Sequence, residues 1–471
     1  MKKYLLILIG AITFASCEDL TDLNENPKDP ATVPAGNLLA NAQVELVDYL
    51  SSTNVNVNTF RLWSQQWSQT TYVDESNYEL VERDVNGTLF NTMYAQVLRD
   101  LQEAEKAIAN DGALSDASRK RQNAILEVMR VYAYSVLVDA FGDVPYEQAL
   151  QGTDNATPAY DDDEAIYTDL VSRLTAAMGN LDGGASGFGG NDLIYGGNTA
   201  MWKKLAASLK LRLAIRMADA LPAAAQAAAE EAAPDVFASS AEDATLAYQS
   251  APPNTNPLWE DLVQSGRTDF IASATLGDLA NQLNDPRRGQ FFRNLDSTGA
   301  IIGAPHGQPS AYPAHSQPSD MLEDPTLRGV LMSHTEVSFL LADAAARGFN
   351  VPGTAADHYE AGIRSSIDFW GGTTAEADAF LAQTDVQWDA AKWKELIGTQ
   401  KYLAMYNRGF EAYCTYRLYD APTMEQAAEA GTTPPTRFNY PVDEYALNDA
   451  NVSTANGGAD EKMGKVFWDV N

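Results

Sequence analysis

The sequence predicts a protein dominated by α-helices. The first observation is the segment 118–150, whose first two thirds carry apolar residues at steps of three and four. Few polar residues follow Arg130, so other helices must pack around this segment on several sides. It ends at Phe141-Gly142-Asp143-Val144-Pro145, where Gly142 can adopt the left-handed conformation and Pro145 cannot continue a helix. The second observation is that helical hairpins recur along the chain.

These hairpins lie near residues 88–141, 162–219, 333–370 and 389–419. The connection inside the first hairpin is short, so its two helices should be antiparallel neighbours. A single hairpin cannot bury its apolar faces, and stacked hairpins resemble a tetratricopeptide-type array. We therefore expect one body at 35–471. Its helical scaffold is expected mainly at 35–220 and 333–419, and an irregular, loop-rich, ligand-facing part mainly at 221–332.

The same periodicity places helices in chain order along the body. They are predicted at 35–50, 88–109, 118–141, 165–178, 199–220, 333–347, 354–370, 375–384 and 389–407. A shorter apolar segment at 270–283 is helix-like. Gly-rich and Pro-rich loops separate some of these helices, at 183–197 and 298–325, and the C-terminal segment from Pro434 is expected to be extended and irregular.

The N-terminus predicts a secretory signal peptide at 1–16, with a basic start, an apolar run too short to span a bilayer, and a small-residue end. This end resembles a bacterial lipobox, with Phe14 where leucine is commoner. The resemblance implies that Cys17 is the lipidated first residue of the mature protein; an ordinary signal peptide with a chance cysteine is the alternative. Residues 17–34 are polar and punctuated by proline, the composition of a tether. We expect a body anchored to the membrane by lipid.

The formal net charge of −32 predicts a surface that repels nucleic acid and anionic membrane surfaces, and we predict no nucleic-acid partner. Acidity that serves only solubility is the alternative interpretation. The helix predicted at 199–220 is an exception, since basic residues cluster on it: Lys203, Lys204, Lys210, Arg212 and Arg216. In so acidic a chain we expect these residues to balance internal carboxylates; an anion site is the alternative.

Motifs for catalysis, metals and cofactors are missing from the sequence: there is no G-x-S-x-G, H-E-x-x-H or Walker loop, and no cysteine cluster. The acidic run 161–164 suits a hard cation or a helix start; we favour the helix start, because the spacing of a calcium loop is lacking. His306 and His315 share a loop, but a third ligand at suitable spacing is lacking. We predict neither a metal nor a cofactor.

Sugar binding requires aromatic faces beside amide or hydroxyl groups in a concave site. The segment 60–78 has this composition, and Trp63, Trp67 and Tyr72 are its candidates. The alternative is that Trp63 and Trp67, four residues apart, form one buried helix stripe. Further candidates for ligand binding lie in irregular segments: Trp259, Tyr312 and His315.

Several segments, in their order along the chain, resemble the SusD/RagB family of surface nutrient-binding lipoproteins. They are Phe141-Gly142-Asp143-Val144-Pro145 after a helix, Asn284-Asp285-Pro286-Arg287, Tyr359-Glu360-Ala361-Gly362-Ile363, Gly409-Phe410-Glu411-Ala412-Tyr413 and Arg437-Phe438-Asn439-Tyr440-Pro441. Tyr416-Arg417-Leu418-Tyr419 departs from the family pattern, which more often has paired arginines before a glycine.

The resemblance implies a SusD-like fold and a lipid anchor in the outer membrane, with the body exposed at the cell surface. It implies capture of glycan oligomers, without turnover, for a SusC-like TonB-dependent transporter. Capture of peptides by the same mechanism is one alternative. A surface glycoside hydrolase is another, because 64 acidic residues always supply carboxylate pairs. A purely structural surface scaffold is the third.

Overall fold

Helices form most of the regular structure in the computed structural model, which describes residues 33–181 and 187–470. The predicted signal peptide, Cys17 and nearly all of the predicted tether lie outside the described residues. From Ala35 onward, the described residues form one compact unit. Within the described ranges, no helix has the length and apolar character needed to cross a membrane. The prediction of a fold dominated by α-helices is confirmed.

The helices of the first half of the chain follow one another closely. They are α1 (Ala35–Ser51), α2 (Phe60–Trp63), α3 (Val85–Asn91), α4 (Arg99–Asn110), α5 (Asp116–Phe141), α6 (Asp163–Asn180), α7 (Thr199–Arg216) and α8 (Pro222–Ala232). A π-helical segment, Thr92–Leu98, joins α3 to α4 without a break.

The second half contains shorter helices before and after a central pair. They are α9 (Pro257–Trp259), α10 (Ala274–Gln282), α11 (Arg288–Phe291), α12 (His334–Ala346), α13 (Ala355–Phe369), α14 (Thr374–Leu381), α15 (Trp393–Ala404), α16 (Gly409–Tyr419), α17 (Val442–Leu447) and α18 (Asp449–Ala455).

The strands are short and pair two by two in antiparallel fashion. They are β1 (Trp67–Gln69) with β5 (Phe270–Ala272), β2 (Val144–Pro145) with β3 (Tyr160–Asp161), β4 (Ala244–Leu246) with β8 (Gly329–Met332), and β6 (Phe292–Arg293) with β7 (Gln317–Pro318). The pairs β1–β5 and β4–β8 join segments that are distant in the sequence.

The predicted helical hairpins are confirmed by the packing of α4 on α5, α6 on α7, α12 on α13, and α15 on α16. Additional contacts of α12 with α7 and α15 join the N-terminal hairpins to the C-terminal ones. The helix at the centre is α5. Its N-terminus is capped by the Ser115 side chain, which accepts a hydrogen bond from the Ser118 amide.

The end of α5 also agrees with the prediction. The helix stops at Phe141, and Gly142 has a φ of 83°, which is costly for any residue with a Cβ. Its ψ of −123° lies outside the left-handed helical region, so the chain leaves the helix in an extended direction. Val144 and Pro145 then pair with Asp161 and Tyr160.

Two expectations about the irregular segments are wrong in part. Residues 270–272 form strand β5 instead of the start of a helix, and α10 begins only after the N-cap residue Ser273. A short apolar run does not distinguish a strand from a buried helix, and here the partner strand β1 decides. The C-terminal segment contains α17 and α18, helices so short that tertiary packing must stabilise them.

Two basic residues of α7, Arg212 and Arg216, form buried ion pairs with three other helices. Arg212 Nε lies 2.6 Å from Glu336 Oε1 on α12, and Arg212 Nη1 lies 3.3 Å from Glu411 Oε1 on α16. Arg216 Nη2 lies 2.6 Å from Glu411 Oε2, and its Nη1 contacts Asp139 on α5. These side chains are at most 4% exposed. The expectation that this helix balances internal carboxylates is confirmed for Arg212 and Arg216. The three lysines pair instead with carboxylates that are exposed or partly exposed: Asp235, Glu242 and Glu231.

Glu336 stays ionised in this cluster. Burial by itself would raise the pKa of its carboxyl group, but the Arg212 and Arg408 guanidinium groups hold that pKa well below its usual range. Arg408 Nη2 lies 2.7 Å from Glu336 Oε2. One carboxylate therefore joins three helical segments through two arginines.

We expect Glu336→Gln to destabilise the protein strongly, because it leaves the Arg212 and Arg408 charges without their shared carboxylate. Removal of one partner from a buried ion pair typically costs about 3–5 kcal/mol in the free energy of unfolding. Urea denaturation followed by circular dichroism measures this change.

The matched control is Arg364→Gln, which breaks the surface pair between Arg364 and Asp378, with side chains 39% and 59% exposed. It should change the free energy of unfolding by less than about 1 kcal/mol. Equal effects of the two substitutions would contradict a structural role for the buried cluster.

Candidate functional site

An open groove of about 400 Å³ lies where three loop segments meet. Its lining is mainly small and hydroxyl-bearing, with one aromatic ring: Thr70, Thr71, Thr268, Pro309, Ser310, Ala311 and Tyr312. Backbone hydrogen bonds join the segments, since the Thr70 amide donates to the Asp269 carbonyl at 2.9 Å and the Ser310 amide donates to the Thr70 carbonyl at 3.1 Å. The strand pair β1–β5 thus sets the relative positions of the groove walls.

The turn after β1 is held by the buried side chain of Gln69. Its Nε2 donates to the Tyr72 carbonyl at 2.9 Å and to Glu75 Oε2 at 2.7 Å. Its Oε1 accepts hydrogen bonds from the amide and hydroxyl of Ser76. Gln69 therefore fixes both ends of the segment that carries Thr70 and Thr71.

Tyr72 follows the groove residue Thr71 and is 68% exposed. Its backbone has a φ of 54°, a conformation that is uncommon for a bulky residue and requires support from its surroundings. An exposed aromatic ring on a constrained turn is a suitable contact for a ligand. This predicted site residue stays a candidate.

Tyr312 lines the groove itself and is half-buried. Its loop is fixed from two sides: Gln317 Nε2 donates to the Tyr312 carbonyl at 2.9 Å, and His315 Nδ1 lies 3.0 Å from the Ala311 carbonyl. His315 thereby shapes the wall of the groove, although it does not belong to the lining. The fold thus brings the segments of Tyr72, Tyr312 and His315 together.

Two of the three tryptophans predicted for ligand contact, Trp63 and Trp67, are buried, and for them that prediction is wrong. Trp63 ends α2 and packs edge-on against Tyr413 and Phe438, with ring centroids 5.8 and 4.7 Å away. Trp67 lies on β1, and its Nε1 donates to the Tyr406 hydroxyl at 3.0 Å. Neither has exposed surface, so neither can stack on a sugar. They also do not share one helix stripe, because the helix ends at Trp63.

The glutamines near these tryptophans serve the fold. Gln66 Nε2 donates to the Met405 carbonyl at 2.9 Å, and Gln65 Nε2 donates to the Glu425 carbonyl at 2.7 Å. Both side chains are fully buried. The polar composition of this segment thus results from its passage through the interior, where every buried amide requires a partner.

Trp259 is half-buried at the end of α9 and does not line the groove. The sequence reasoning missed the hydroxyl groups of Thr70, Thr268 and Ser310. Nothing in a single threonine or serine marks it as a ligand contact, and only the pairing of distant segments places these three together.

His306 lies in the loop of the groove wall, and among the described residues it belongs to no cluster of three metal-ligating side chains. Its ring is 1% exposed, both ring nitrogens lack hydrogen-bond partners among the described residues, and the Tyr78 ring lies 5.9 Å away. Burial lowers the pKa of His306 to about 4, although the nearby Ser76 backbone opposes this effect. The imidazole is therefore neutral at pH 7.

Three carboxylates lie within 4.8 Å of one another where α5 ends and α6 begins: Asp143, Asp162 and Asp163. Such a group could hold a hard cation. The backbone already supplies partners, however, since the Asp163 amide donates to Asp143, the Ala165 amide to Asp162, and the Phe467 amide to Asp163. Asp162 is the N-cap of α6, so the predicted helix start is confirmed.

The groove is suited to a neutral, hydroxyl-rich ligand. Its lining offers an aromatic face and several hydroxyl groups, and it contains no charged side chain. A ligand with alternating apolar faces and hydroxyl edges would match both features.

The chain matches the family model SusD-like_2, described as starch-binding and associating with the outer membrane, over residues 27–441. No curated protein matches the sequence. Similar folds occur among solved structures, which carry more specific descriptions.

One solved structure, described as a chitin-binding protein, is 27% identical with a TM-score of 0.80, and the match covers 93% of this chain and 100% of that one. A chitin-binding SusD homolog from Flavobacterium johnsoniae is 26% identical with a TM-score of 0.78, covering 92% and 98% of the two chains. A SusD homolog from Bacteroides uniformis is 25% identical with a TM-score of 0.77, covering 92% and 99%. The expected SusD-like fold is confirmed.

We expect His306 to make the protein sensitive to acid. The folded-state pKa of about 4 lies below the unfolded value of 6.5, so the unfolded chain binds the proton more readily. The contribution of His306 to the free energy of unfolding should be fully present above pH 6.5. As the pH drops to 4, the free energy of unfolding should fall by about 3 kcal/mol through this residue. In His306→Leu this pH-dependent loss should be absent.

Urea denaturation of both proteins between pH 8 and pH 4 measures the effect. The difference in unfolding free energy between the two proteins should be constant above pH 7, which serves as the internal control. A constant difference down to pH 4 would contradict a buried neutral imidazole.

Proposed function

Because the chain belongs to the SusD/RagB family, we propose that it is a lipid-anchored protein of the outer cell surface that captures glycan oligomers and passes them to a SusC-like TonB-dependent transporter. The observation that carries this proposal is the groove between Thr70 and Tyr312, with the exposed ring of Tyr72 beside it. The ring and the hydroxyl groups are the two kinds of contact that sugars require.

The ligand class that we propose to test first is the oligomers of N-acetylglucosamine. Two similar structures at 27% and 26% identity are described as chitin-binding, while the family description refers to starch. Both polymers are neutral, which fits a groove without charged lining in a chain whose net charge is −32. An anionic glycan would be repelled by the surrounding surface.

We propose binding without turnover. Hydrolysis of a glycosidic bond requires two carboxyl groups on either side of it, and no carboxylate lines the groove. Asp269 lies next to Thr268, but Arg267 already pairs with it. The groove therefore favours a binding protein over a glycoside hydrolase, and neutral glycans over charged peptides.

The proposed anchor is Cys17, at the end of the predicted signal peptide. The other cysteine, Cys414, is 2% exposed in the core and is unavailable for lipid attachment. A lipidated Cys17 would keep the body at the membrane surface, where a transporter can receive the ligand.

We expect Tyr72→Ala and Tyr312→Ala each to weaken binding of N-acetylglucosamine oligomers about tenfold, because each removes an aromatic face worth about 1.5 kcal/mol. Tyr72→Phe should retain most of the affinity, since it keeps the ring. Isothermal titration calorimetry with chitin and starch oligosaccharides measures these changes.

The control is Tyr445→Ala, which removes a tyrosine on α17 outside the groove. It should leave the dissociation constant unchanged. If the wild type and all three alanine variants bind the oligosaccharides with the same affinity, the groove is not the binding site. Release of shorter sugars during incubation would favour a glycoside hydrolase.

We expect Cys17→Ser to move the protein from the outer-membrane fraction to the soluble fraction, because the thiol that would carry the lipid is lost. Fractionation and metabolic labelling with a fatty acid measure the change. Cys414→Ser is the matched control, and it should keep both the membrane location and the label.

The same fractions test the transporter. Wild-type protein extracted from outer membranes in mild detergent should co-purify with a TonB-dependent barrel. Purification without such a barrel, from membranes that contain the protein, would contradict the proposed transfer.

A further inference from the structure

A second cavity lies inside the body, between α2, α5, β8, α13 and α16. It shares no lining residue with the groove. Its volume is about 60 Å³, which holds roughly four to six atoms of the size of a water molecule. The most exposed members of its lining are Phe369 and Arg328, so the cavity opens to solvent on their side.

Arg61 at the wall of this cavity is buried without an ionic partner. Its side chain donates to the carbonyl oxygens of Ser51, Ser52 and Asn407, and to Asn407 Oδ1. Among the described residues its guanidinium forms no ion pair, and it lies over the Trp67 ring, 5.5 Å from the ring centroid. Nη1 makes one bond, to Ser52, so one of its two N–H groups is unused.

The rest of the charged lining does not neutralise Arg61. Arg408 contacts the cavity and is paired with Glu336, while Arg328 has no carboxylate partner among the described residues. The acidic member of the lining is Glu411. Its Oε2 pairs with Arg216 at 2.6 Å, and its Oε1 lies 3.3 Å from Arg212 Nη1 but has no hydrogen-bond partner among the described residues. Asp261 lies outside the lining, and its charge opposes only in part the lowering of the Arg61 pKa by burial.

The charged lining of the cavity is therefore net positive, in contrast to the net charge of −32 of the whole chain. A buried guanidinium without an ion-pair partner is unfavourable, because its desolvation is offset mainly by neutral acceptors and the face of the Trp67 ring, with Asp261 acting only from a distance. A bound anion would supply the missing charge and accept the unused N–H in a charge-assisted hydrogen bond.

The remaining lining is largely apolar and includes Leu50, Leu258, Leu327, Val330, Trp370 and Phe410. A bare inorganic anion would leave these side chains without contacts. A ligand that carries a carboxylate at one end and a short hydrocarbon at the other satisfies both parts of the cavity, and acetate to butyrate contain four to six heavy atoms.

We propose that this cavity is a binding site for a small aliphatic carboxylate of two to four carbons, with its carboxylate at Arg61 and its alkyl group against the apolar wall. This site is independent of the proposed glycan groove. Its occupancy does not require glycan binding, so failure of one proposal leaves the other intact.

Calorimetry and thermal unfolding of the full-length protein in detergent test the site, with sodium acetate, propionate, butyrate and hexanoate at fixed ionic strength. Propionate or butyrate should bind saturably and raise the melting temperature, as binding to the native state requires. Hexanoate should bind at least tenfold more weakly, because it exceeds the cavity. Propionamide, which has the same shape without the charge, should not bind.

Arg61→Gln should weaken propionate binding at least tenfold, and the surface control Arg364→Gln should not change it. Because Arg61 is buried, a second variant, Val330→Trp, enlarges a side chain of the apolar wall, so that it fills part of the cavity and keeps the guanidinium; it should also weaken binding. The proposal is overturned if no carboxylate binds saturably, if chloride or propionamide binds as tightly as propionate, or if the folded variants bind like the wild type.

Discussion

Arg212 and Arg216, one turn apart on α7, form buried ion pairs with carboxylates from three other helices, α5, α12 and α16. A buried charge is tolerated only when its partners are close and well oriented, so each pair fixes the distance and rotation between two helices. Apolar packing alone would permit small sliding of one helix past another. The four helices thus acquire a defined register, and the hairpins they belong to become one scaffold.

The loops that form the groove depend on this scaffold. The segment between α2 and Tyr72 passes through the interior, where Gln66 is bonded to Met405 and Gln69 holds the following turn. Strand β1 then pairs with β5, which brings Thr268 beside Thr70. An aromatic residue on a mobile loop loses backbone freedom on binding, whereas the backbone of Tyr72 is already held by the Gln69 side chain, and this preorganisation favours affinity.

Charge is distributed unequally between the surface and the interior. The chain as a whole is strongly acidic, yet its buried cluster and its inner cavity are rich in arginine. An acidic surface with a neutral groove favours uncharged ligands at the groove. The inner cavity, whose charged lining is three arginines and one glutamate, is the place where an anion would be favoured, since electrostatic interactions are stronger away from water.

The sequence by itself determined the helices, their hairpins, the end of α5 at Phe141 and the pairing of basic α7 with internal carboxylates, because periodicity, end signals and charge are local properties. It also indicated Tyr72 and Tyr312. It could not decide that Trp63 and Trp67 are buried, since a segment rich in aromatic and amide residues has the same sequence pattern in a core as in a binding site. Only the tertiary structure separated these roles, and it alone united Thr70, Thr268 and Ser310, because contacts between segments some 200 residues apart depend on which strands pair and which helices pack.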